Sequence, residues 1–186
     1  MSSILSGQTY FFDNYGPEQG LESSIVYAIL QSKDDYIWLG TDAGVARFDG
    51  INFINYTTEH GLAPKGVRTI FEDNSGNIWF GHIGGALTRY NGKKFEPLFI
   101  TDTLPDLDVT SFIHDKDGSL WISTHGDGVY RIENPNEKTA RIKYTHYKGG
   151  RLGDRVFSSL LHSDGTLYFV TDLGIRKYIP AENTFQ

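Results

Sequence analysis

The sequence predicts an all-β protein in which one unit of about 42 residues is repeated four times. Trp38, Trp79 and Trp121 are spaced 41 and 42 residues apart, and Tyr168 follows 47 residues later in the same setting. A valine lies 12 residues before each of these aromatic residues, at positions 26, 67, 109 and 156. Self-similarity at such a period is typical of repeat architectures.

Each unit contains four short runs with strand character. In the second unit these runs are residues 67–72, 78–82, 86–90 and 94–98, and turn-forming residues separate them. Asn91-Gly92 is the strongest two-residue hairpin signal among these turns. Turn residues also lie three positions before each repeated aromatic residue, at positions 35, 76, 118 and 165. Hairpin after hairpin without a helical period predicts a four-stranded antiparallel meander.

A four-stranded antiparallel unit of 40 to 50 residues is typical of a β-propeller blade. One blade cannot bury both of its apolar faces, so blades stack around a shared core. We therefore predict a single β-propeller-type array over residues 1–186, with blade units at about 10–50, 51–92, 93–134 and 143–186. The tryptophan on the second strand is expected to fill the space between neighbouring blades.

The ends of the chain raise the question of ring closure. Residues 9–15 match the outer strand at 52–56, and residues 183–186 resemble the start of another outer strand. The N-terminal strand could complete the fourth blade of a closed ring, or two chains could pair into an eight-bladed ring. Because an open arc would expose apolar blade faces, we expect a homo-oligomer formed through those faces.

Composition excludes several function classes. Asp and Glu exceed Lys and Arg by 23 to 17, which gives a net charge of −6 and argues against nucleic-acid binding. Cysteine is absent, and no apolar run is long enough for a membrane-spanning segment. Residues 1–7 have neither the basic nor the apolar region of a signal peptide. The histidines lack metal-ligand spacing and no phosphate-loop motif occurs, so no metal, cofactor or catalytic residue is predicted.

Candidate ligand-binding residues lie at one rim of the predicted array. One group ends the second strand of each blade, where polar side chains of neighbouring blades meet: Asp42, His82, Thr124, His125 and Asp172. A second group lies in the variable loops that join an outer strand to the next inner strand: Lys65, Arg68, Asp106, Asp108, Asp154 and Arg155. Variable loops on a repeated scaffold are common binding sites. The alternative interpretation is that these residues cap turns or face solvent.

The repeats resemble a known family. The pattern V-x-x-I-x-E-D-x-x-G-N-I-W-x-G at 67–81, followed by L-x-R-Y-N-G, resembles the two-component regulator propeller repeat, and residues 26–50 and 109–124 are further copies. The resemblance implies the periplasmic sensor region of a hybrid histidine kinase of Bacteroidetes type, with a kinase in cis and an oligosaccharide ligand. The chain contains no kinase and therefore looks like a fragment of such a sensor.

The function predicted from the sequence is a non-catalytic sensor or ligand-binding segment of a two-component signalling protein. Two alternatives stay open. A lyase or glycosidase on a propeller scaffold would need a cluster of His, Tyr, Arg or carboxylate groups at the ring centre. A pure protein-interaction module would need only a binding face.

Overall fold

The computed structural model describes residues 12–98, 107–136 and 143–186. Within them, sixteen strands form four separate four-stranded antiparallel sheets. The strands are β1 (Val26–Gln31), β2 (Ile37–Thr41), β3 (Val45–Phe48), β4 (Phe53–Tyr56), β5 (Val67–Glu72), β6 (Ile78–His82), β7 (Leu87–Tyr90), β8 (Phe95–Leu98), β9 (Val109–His114), β10 (Leu120–Thr124), β11 (Val129–Ile132), β12 (Thr145–Tyr147), β13 (Val156–Leu161), β14 (Leu167–Thr171), β15 (Gly174–Ile179) and β16 (Thr184–Phe185). Two short 3₁₀ turns, Pro17–Gln19 and Thr58–His60, precede the first and second sheets.

Each sheet is one blade, with its strands in chain order from the inner to the outer edge. The inner strands β1, β5, β9 and β13 lie side by side in that order. The turn before the second strand of each blade has a positive φ, between 66° and 88°, at positions 35, 76, 118 and 165. Glycine holds three of these four positions because it adopts this conformation without strain. The predicted meander and the predicted fold class are confirmed.

Three apolar clusters hold the four blades together, one between each neighbouring pair. Trp38 packs in the cluster between the first and second blades, Trp79 in the next, and Trp121 in the third. All three rings are almost completely buried. Each faces the residue after the tryptophan position of the following blade, as Trp38 faces Phe80 with ring centres 5.6 Å apart. The tryptophan therefore packs between blades, as predicted.

A polar clamp orients each tryptophan. Trp79 Nε1 donates to Asp73 Oδ2 at 2.9 Å, and Trp121 Nε1 donates to Asp115 Oδ2 at 2.8 Å. On the opposite strand, the guanidinium carbon of Arg89 lies 5.8 Å from the centre of the Trp79 ring. Burial alone would raise the pKa of Asp73. Hydrogen bonds from Trp79 and the turn residues outweigh this effect and hold the pKa below its usual value.

The C-terminal end of the chain supplies the outer strand of the fourth blade. β16 pairs with β15 through a short turn, with Phe185 opposite Tyr178. The alternative in which residues 9–15 complete this blade is therefore contradicted. Residues 12–15 form no strand, and residues 9–11 lie outside the described part of the chain. The β15–β16 hairpin takes the outer position of this blade because closing its short turn costs less conformational entropy than bringing in a strand from the other end of the chain.

The array ends on two open faces. Val67 and Val109, which begin the two middle inner strands, are 0% and 1% exposed, whereas Val26 at the start of β1 is 43% exposed. At the other end, Ile175 of the fourth blade is 68% exposed. No ring closure takes place within the described residues.

Replacing Asp73 by alanine should lower the free energy of unfolding by about 2 kcal/mol at pH 7, because buried donors, including Trp79 Nε1, lose their acceptor. Since the pKa of Asp73 is lowered in the folded state, its contribution is present above the unfolded pKa of about 3.9 and is lost as the pH falls below it. The difference between the wild type and Asp73→Ala should therefore shrink at pH 3. Urea unfolding of the wild type and of Asp73→Ala at pH 7 and at pH 3 measures this difference.

The matched control is Asp117→Ala, which removes an exposed carboxylate from the corresponding turn of the third blade. We expect a change within about 0.5 kcal/mol for this variant. Equal losses of unfolding free energy in Asp73→Ala and Asp117→Ala would contradict the stabilising role of the polar clamp.

Candidate functional site

A cavity of about 410 Å³ opens where the inner strands of all four blades converge. Its lining residues are Tyr27, Arg68, Asp108, Thr110, His125 and Phe157. Cavities that bind small molecules have similar volumes and a similar mixture of aromatic surface with a few polar groups.

A repeated backbone irregularity directs one residue of each blade into this cavity. The pairing of the inner with the second strand shifts register between Val26 and Ala28, and the same shift recurs after Val67 and Val156. In the third blade the extra residue is Thr110. A β-bulge leaves one residue unpaired and redirects its side chain. The four residues in question directly follow the repeated valines: Tyr27, Arg68, Thr110 and Phe157.

The polar side of the cavity is held by Asp108. Arg68 Nε lies 3.4 Å from Asp108 Oδ2, and both side chains are partly exposed. The other carboxylate oxygen of Asp108 accepts from the Gly84 backbone at 3.2 Å. The carbonyl of Asp108 accepts from the backbone N–H of His125 at 2.9 Å. These hydrogen bonds hold the Asp108 loop in place, so the Arg68 guanidinium and the Asp108 carboxylate face the cavity as an ion pair.

The two ends of the cavity are aromatic. The Arg68 guanidinium lies 5.9 Å from the centre of the Tyr27 ring, and the His125 ring lies 5.7 Å from that of Phe157. Thr110 Oγ1 donates to the Val156 carbonyl at 2.6 Å, which joins the third and fourth inner strands. The cavity therefore offers two aromatic rings on either side of a charge-balanced polar group.

Three of the residues selected from the sequence line this cavity: Arg68, Asp108 and His125. Arg155 lies next to it, because its backbone forms an isolated bridge with His125. The sequence patterns did not indicate the other three lining residues, Tyr27, Thr110 and Phe157. A signal for them existed, since the position after the repeated valine changes from Tyr to Arg, Thr and Phe between units.

His82 is completely buried and lies outside the cavity. Its Nδ1 donates to the Lys65 carbonyl at 3.1 Å, so Nε2 accepts from Thr88 Oγ1 at 2.9 Å in the neutral ring. Thr88 Oγ1 in turn accepts from Ala63 N at 2.9 Å. Burial lowers the pKa of His82. This chain of bonds fastens the loop before β5 to the second blade.

The remaining candidates lie outside the cavity lining. Thr124 is buried, and its hydroxyl donates to the Gly128 carbonyl at 3.0 Å. Asp42 accepts a hydrogen bond from Ser23 Oγ. The backbone N–H of Asp172 donates to the Arg155 carbonyl at 3.1 Å.

Two further candidates belong to the predicted loops. The carbonyl of Asp154 accepts from the backbone N–H groups of Gly126 and Gly128, at 3.1 and 2.8 Å. Asp106 lies outside the described residues.

Among residues 12–98, 107–136 and 143–186, no group of three His, Asp or Glu side chains has the arrangement of a metal site. The same part of the chain contains no helix of the length and hydrophobicity that crossing a membrane requires.

The fold is that of a β-propeller in which each blade is one copy of a repeated four-stranded unit. Three segments, residues 20–43, 61–84 and 103–126, match the family described as two component regulator propeller. The first three blades therefore carry repeats that match this family. The fourth blade lies outside the three matched segments, and it is the blade in which tyrosine replaces tryptophan.

This chain spans 12% of the length of a similar curated protein and between 26% and 60% of two similar solved structures. The chain is 27% identical over 172 residues to histidine kinase P4 of Formosa agariphila, covering 85% of this chain and 12% of that protein. The extracellular domain of a hybrid two-component system from B. thetaiotaomicron superposes with a TM-score of 0.77 at 21% identity, covering 94% of this chain and 26% of that one. Virginiamycin B lyase from Staphylococcus aureus superposes with a TM-score of 0.70 at 17% identity, covering 98% of this chain and 60% of that one. The structural similarities concern the fold alone.

The buried position of His82 predicts a pH-dependent stability. Since the pKa of His82 is lowered on folding, the unfolded chain binds a proton more readily, and stability falls as the pH drops below about 6.5. His82→Gln should therefore lose less stability than the wild type between pH 7.5 and pH 5.5, as measured by urea unfolding. The control is Thr124→Val at the aligned buried position, which should lower stability equally at both pH values because it does not titrate.

Proposed function

We propose that this chain is a non-catalytic, ligand-binding sensor segment of a two-component signalling protein. The proposed ligand is a neutral oligosaccharide bound in the central cavity. The observation that carries the proposal is the lining of that cavity, in which each blade contributes a different residue from the same bulge position.

The aromatic residues support a carbohydrate ligand. Tyr27 and Phe157 lie on the first and fourth inner strands and are 41% and 45% exposed. An exposed aromatic ring offers a flat apolar surface to the C–H face of a sugar ring, and partly apolar pockets with few polar groups are typical binding sites. Thr110 and His125 add hydroxyl and imidazole groups that can bond to sugar hydroxyls.

The charges support a neutral ligand rather than an acidic or basic one. Arg68 and Asp108 pair across the cavity, so their charges cancel. A charged ligand would be attracted by one member of this pair and repelled by the other, so the pair favours neither sign of ligand charge. A sugar hydroxyl instead can donate to the carboxylate and accept from the guanidinium while the pair stays intact.

The absence of catalysis is part of the proposal. Asp108, the carboxylate of the cavity, is bonded to Arg68 and to the Gly84 backbone. The hydrogen bonds of the described residues do not join the His125 ring to a carboxylate, so no carboxylate orients this imidazole as a general base. The similarity to a lyase fold makes an enzyme the alternative, and bond cleavage of a bound oligosaccharide would support it.

We further propose that the segment acts in the periplasm and passes its signal to a kinase in the same polypeptide. The support comes from the relatives, one a histidine kinase and one an extracellular domain of a two-component system. The chain would also associate with a second copy through its open blade faces, which carry exposed apolar residues at both ends.

Calorimetric titration tests the ligand proposal with four probes: cellohexaose, mannohexaose, xylohexaose and an oligogalacturonide as the acidic comparison. We expect at least one neutral hexasaccharide to bind and the acidic one to bind more weakly. Phe157→Ala and Tyr27→Ala should each weaken that binding about tenfold, since an aromatic contact contributes on the order of 1 kcal/mol.

Phe12→Ala is the control, because it removes an exposed ring that does not line the cavity. Its affinity should equal that of the wild type. Binding that survives both cavity substitutions would contradict the site, and preference for the oligogalacturonide would contradict the neutral ligand. No binding by any probe would favour the protein-interaction module. Chromatography of the incubated sugars reports cleavage.

A further inference from the structure

A second cavity, of about 630 Å³, lies between the second and third blades. It is lined by residues 74–75 of the second blade and, from the third blade, by His114 and residues 117–118 and 133–136. The central cavity is lined from the starts of the inner strands, whereas His114 is the last residue of β9. The two cavities therefore belong to opposite rims of the array, and this one has the volume of a small-molecule site.

His114 presents a buried ring to this cavity. The residue is 9% exposed, and neither ring nitrogen has a partner with hydrogen-bond geometry among the described residues. The ring stacks on Phe71, with ring centres 5.5 Å apart and an angle of 21° between the planes. Burial lowers the pKa of His114, although the Asp73 carboxylate and the Gly118 carbonyl oppose this effect, so the imidazole is neutral at pH 7. Buried polar groups in proteins usually have a partner, and this ring offers one nitrogen as an acceptor.

The corresponding place between the first and second blades holds a lysine ammonium group. In the repeat, Glu72 aligns with His114, and Lys33 aligns with Asn74. Lys33 Nζ donates to the Asp73 carbonyl at 3.1 Å and lies 3.9 Å from Glu72 Oε1. The Lys33 backbone N–H donates to Glu72 Oε2 at 2.9 Å. An ammonium group from the first blade is thus bound by the second blade at this junction.

The middle junction lacks such a lysine but keeps the acceptors. At the third junction Lys116 extends towards the fourth blade, where its Cδ lies 3.2 Å from the place of a Cβ on Gly165. At the middle junction the aligned residue is Asn74, which is shorter and uncharged. The Asp115 carbonyl corresponds to that of Asp73, and each accepts one backbone hydrogen bond from a glycine of its own turn at 3.1 Å. A carbonyl oxygen can accept two hydrogen bonds, as that of Asp73 does.

The charges at the cavity favour a cation. Among the described residues that line it, the charged ones are Asp117 and Glu133, and both are exposed. Arg131 Nη1 lies 4.0 Å from Glu133 Oε1, and such an exposed pair is weak. Two carboxylates, a neutral imidazole and a backbone carbonyl are all acceptors, whereas an ammonium group has three donors and no acceptor.

Hydrogen bonds between the blades hold the walls of the cavity in place. Asn136 Oδ1 accepts from Asn77 Nδ2 at 2.8 Å, and Asn136 Nδ2 donates to Ser75 Oγ at 2.9 Å. Arg89 Nη1 donates to the Pro135 carbonyl at 3.0 Å. The segment that ends at Asn136 is therefore fixed to the second blade, and the cavity is formed before a ligand enters.

We propose that this cavity binds a small primary amine, whose ammonium group takes the place that Lys33 Nζ has at the first junction. The ammonium group donates to the free nitrogen of His114 and to the Asp115 carbonyl. A second cationic group of the ligand is attracted by the exposed carboxylates. We define the amine site by the side chains of Asn74, Ser75, His114, Asp117 and Glu133. Its ligand joins the second and third blades and is separate from the ligand of the central cavity.

Calorimetric titration of the 186-residue chain with 1,4-diaminobutane tests the amine site. A salt concentration of about 150 mM screens weak contacts between exposed charges. The matched probes are 1,4-butanediol, which has no charge, and 1,4-bis(trimethylammonio)butane, which keeps both charges but has no N–H group. We expect one diamine to bind per chain and each of the other two probes to bind at least about tenfold more weakly, because hydrogen bonds to charged groups are the stronger ones.

Two variants test the residues. His114→Phe keeps the stacking on Phe71 and removes both ring nitrogens, so it should weaken diamine binding about tenfold. Asn74→Lys supplies the ammonium group from the chain itself. It should therefore abolish diamine binding and raise the urea midpoint of unfolding, as the Lys33 contact at the first junction indicates. Ser163→Lys is the matched control, because it adds the same charge at the aligned exposed position of the fourth blade. Its diamine affinity and urea midpoint should equal those of the wild type.

The other outcomes overturn the inference. No binding of 1,4-diaminobutane would refute the amine site, and equal binding of either matched probe would refute a hydrogen-bonded ammonium group. Diamine binding that survives both His114→Phe and Asn74→Lys would lie elsewhere on the acidic surface. Equal weakening by Asn74→Lys and Ser163→Lys would reduce the effect to net charge. None of these results bears on the oligosaccharide proposal, whose test uses Tyr27 and Phe157 at the other rim.

Discussion

The stack of blades depends on the tryptophan between each pair and on the polar clamp that orients it. Trp79 is buried against the third blade, and Asp73 and Arg89 fix its ring from the turn and from the neighbouring strand. A blade has two apolar faces and cannot cover either alone, so its stability comes from these contacts with its neighbours. The fourth blade lacks this clamp, because Tyr168 stands at the tryptophan position and His162 at the position of the indole acceptor.

The same repeat that builds the core also builds the cavity. The bulge at the start of each inner strand leaves one residue per blade free of the ladder, so it can vary without loss of a strand pair. The valine before it stays constant because, in the second and third blades, it packs against the glycine of the preceding blade. Adjacent positions therefore serve opposite purposes: Val67 holds the blades together, and Arg68 faces the cavity.

Sequence patterns predicted much of the fold but only half of the cavity lining. Arg68, Asp108 and His125 were identified because they lie in variable loops or at strand ends. Tyr27 and Phe157 were not, since an aromatic residue in a strand usually belongs to the core. His82 was grouped with the rim residues through its alignment with Thr124. Its burial and its bonds to Lys65 and Thr88 depend on side-chain packing that alignment does not report.

The sequence by itself determined the blade, because turn residues and alternating apolar residues act over short distances within one meander. It also determined that four such blades follow one another, since the spacing of Trp38, Trp79 and Trp121 repeats. Only the tertiary structure decided which side chains meet at the centre and how the array ends. Those outcomes depend on contacts between blades, such as Val67 against Gly40, whose distances follow from the stacking of complete sheets.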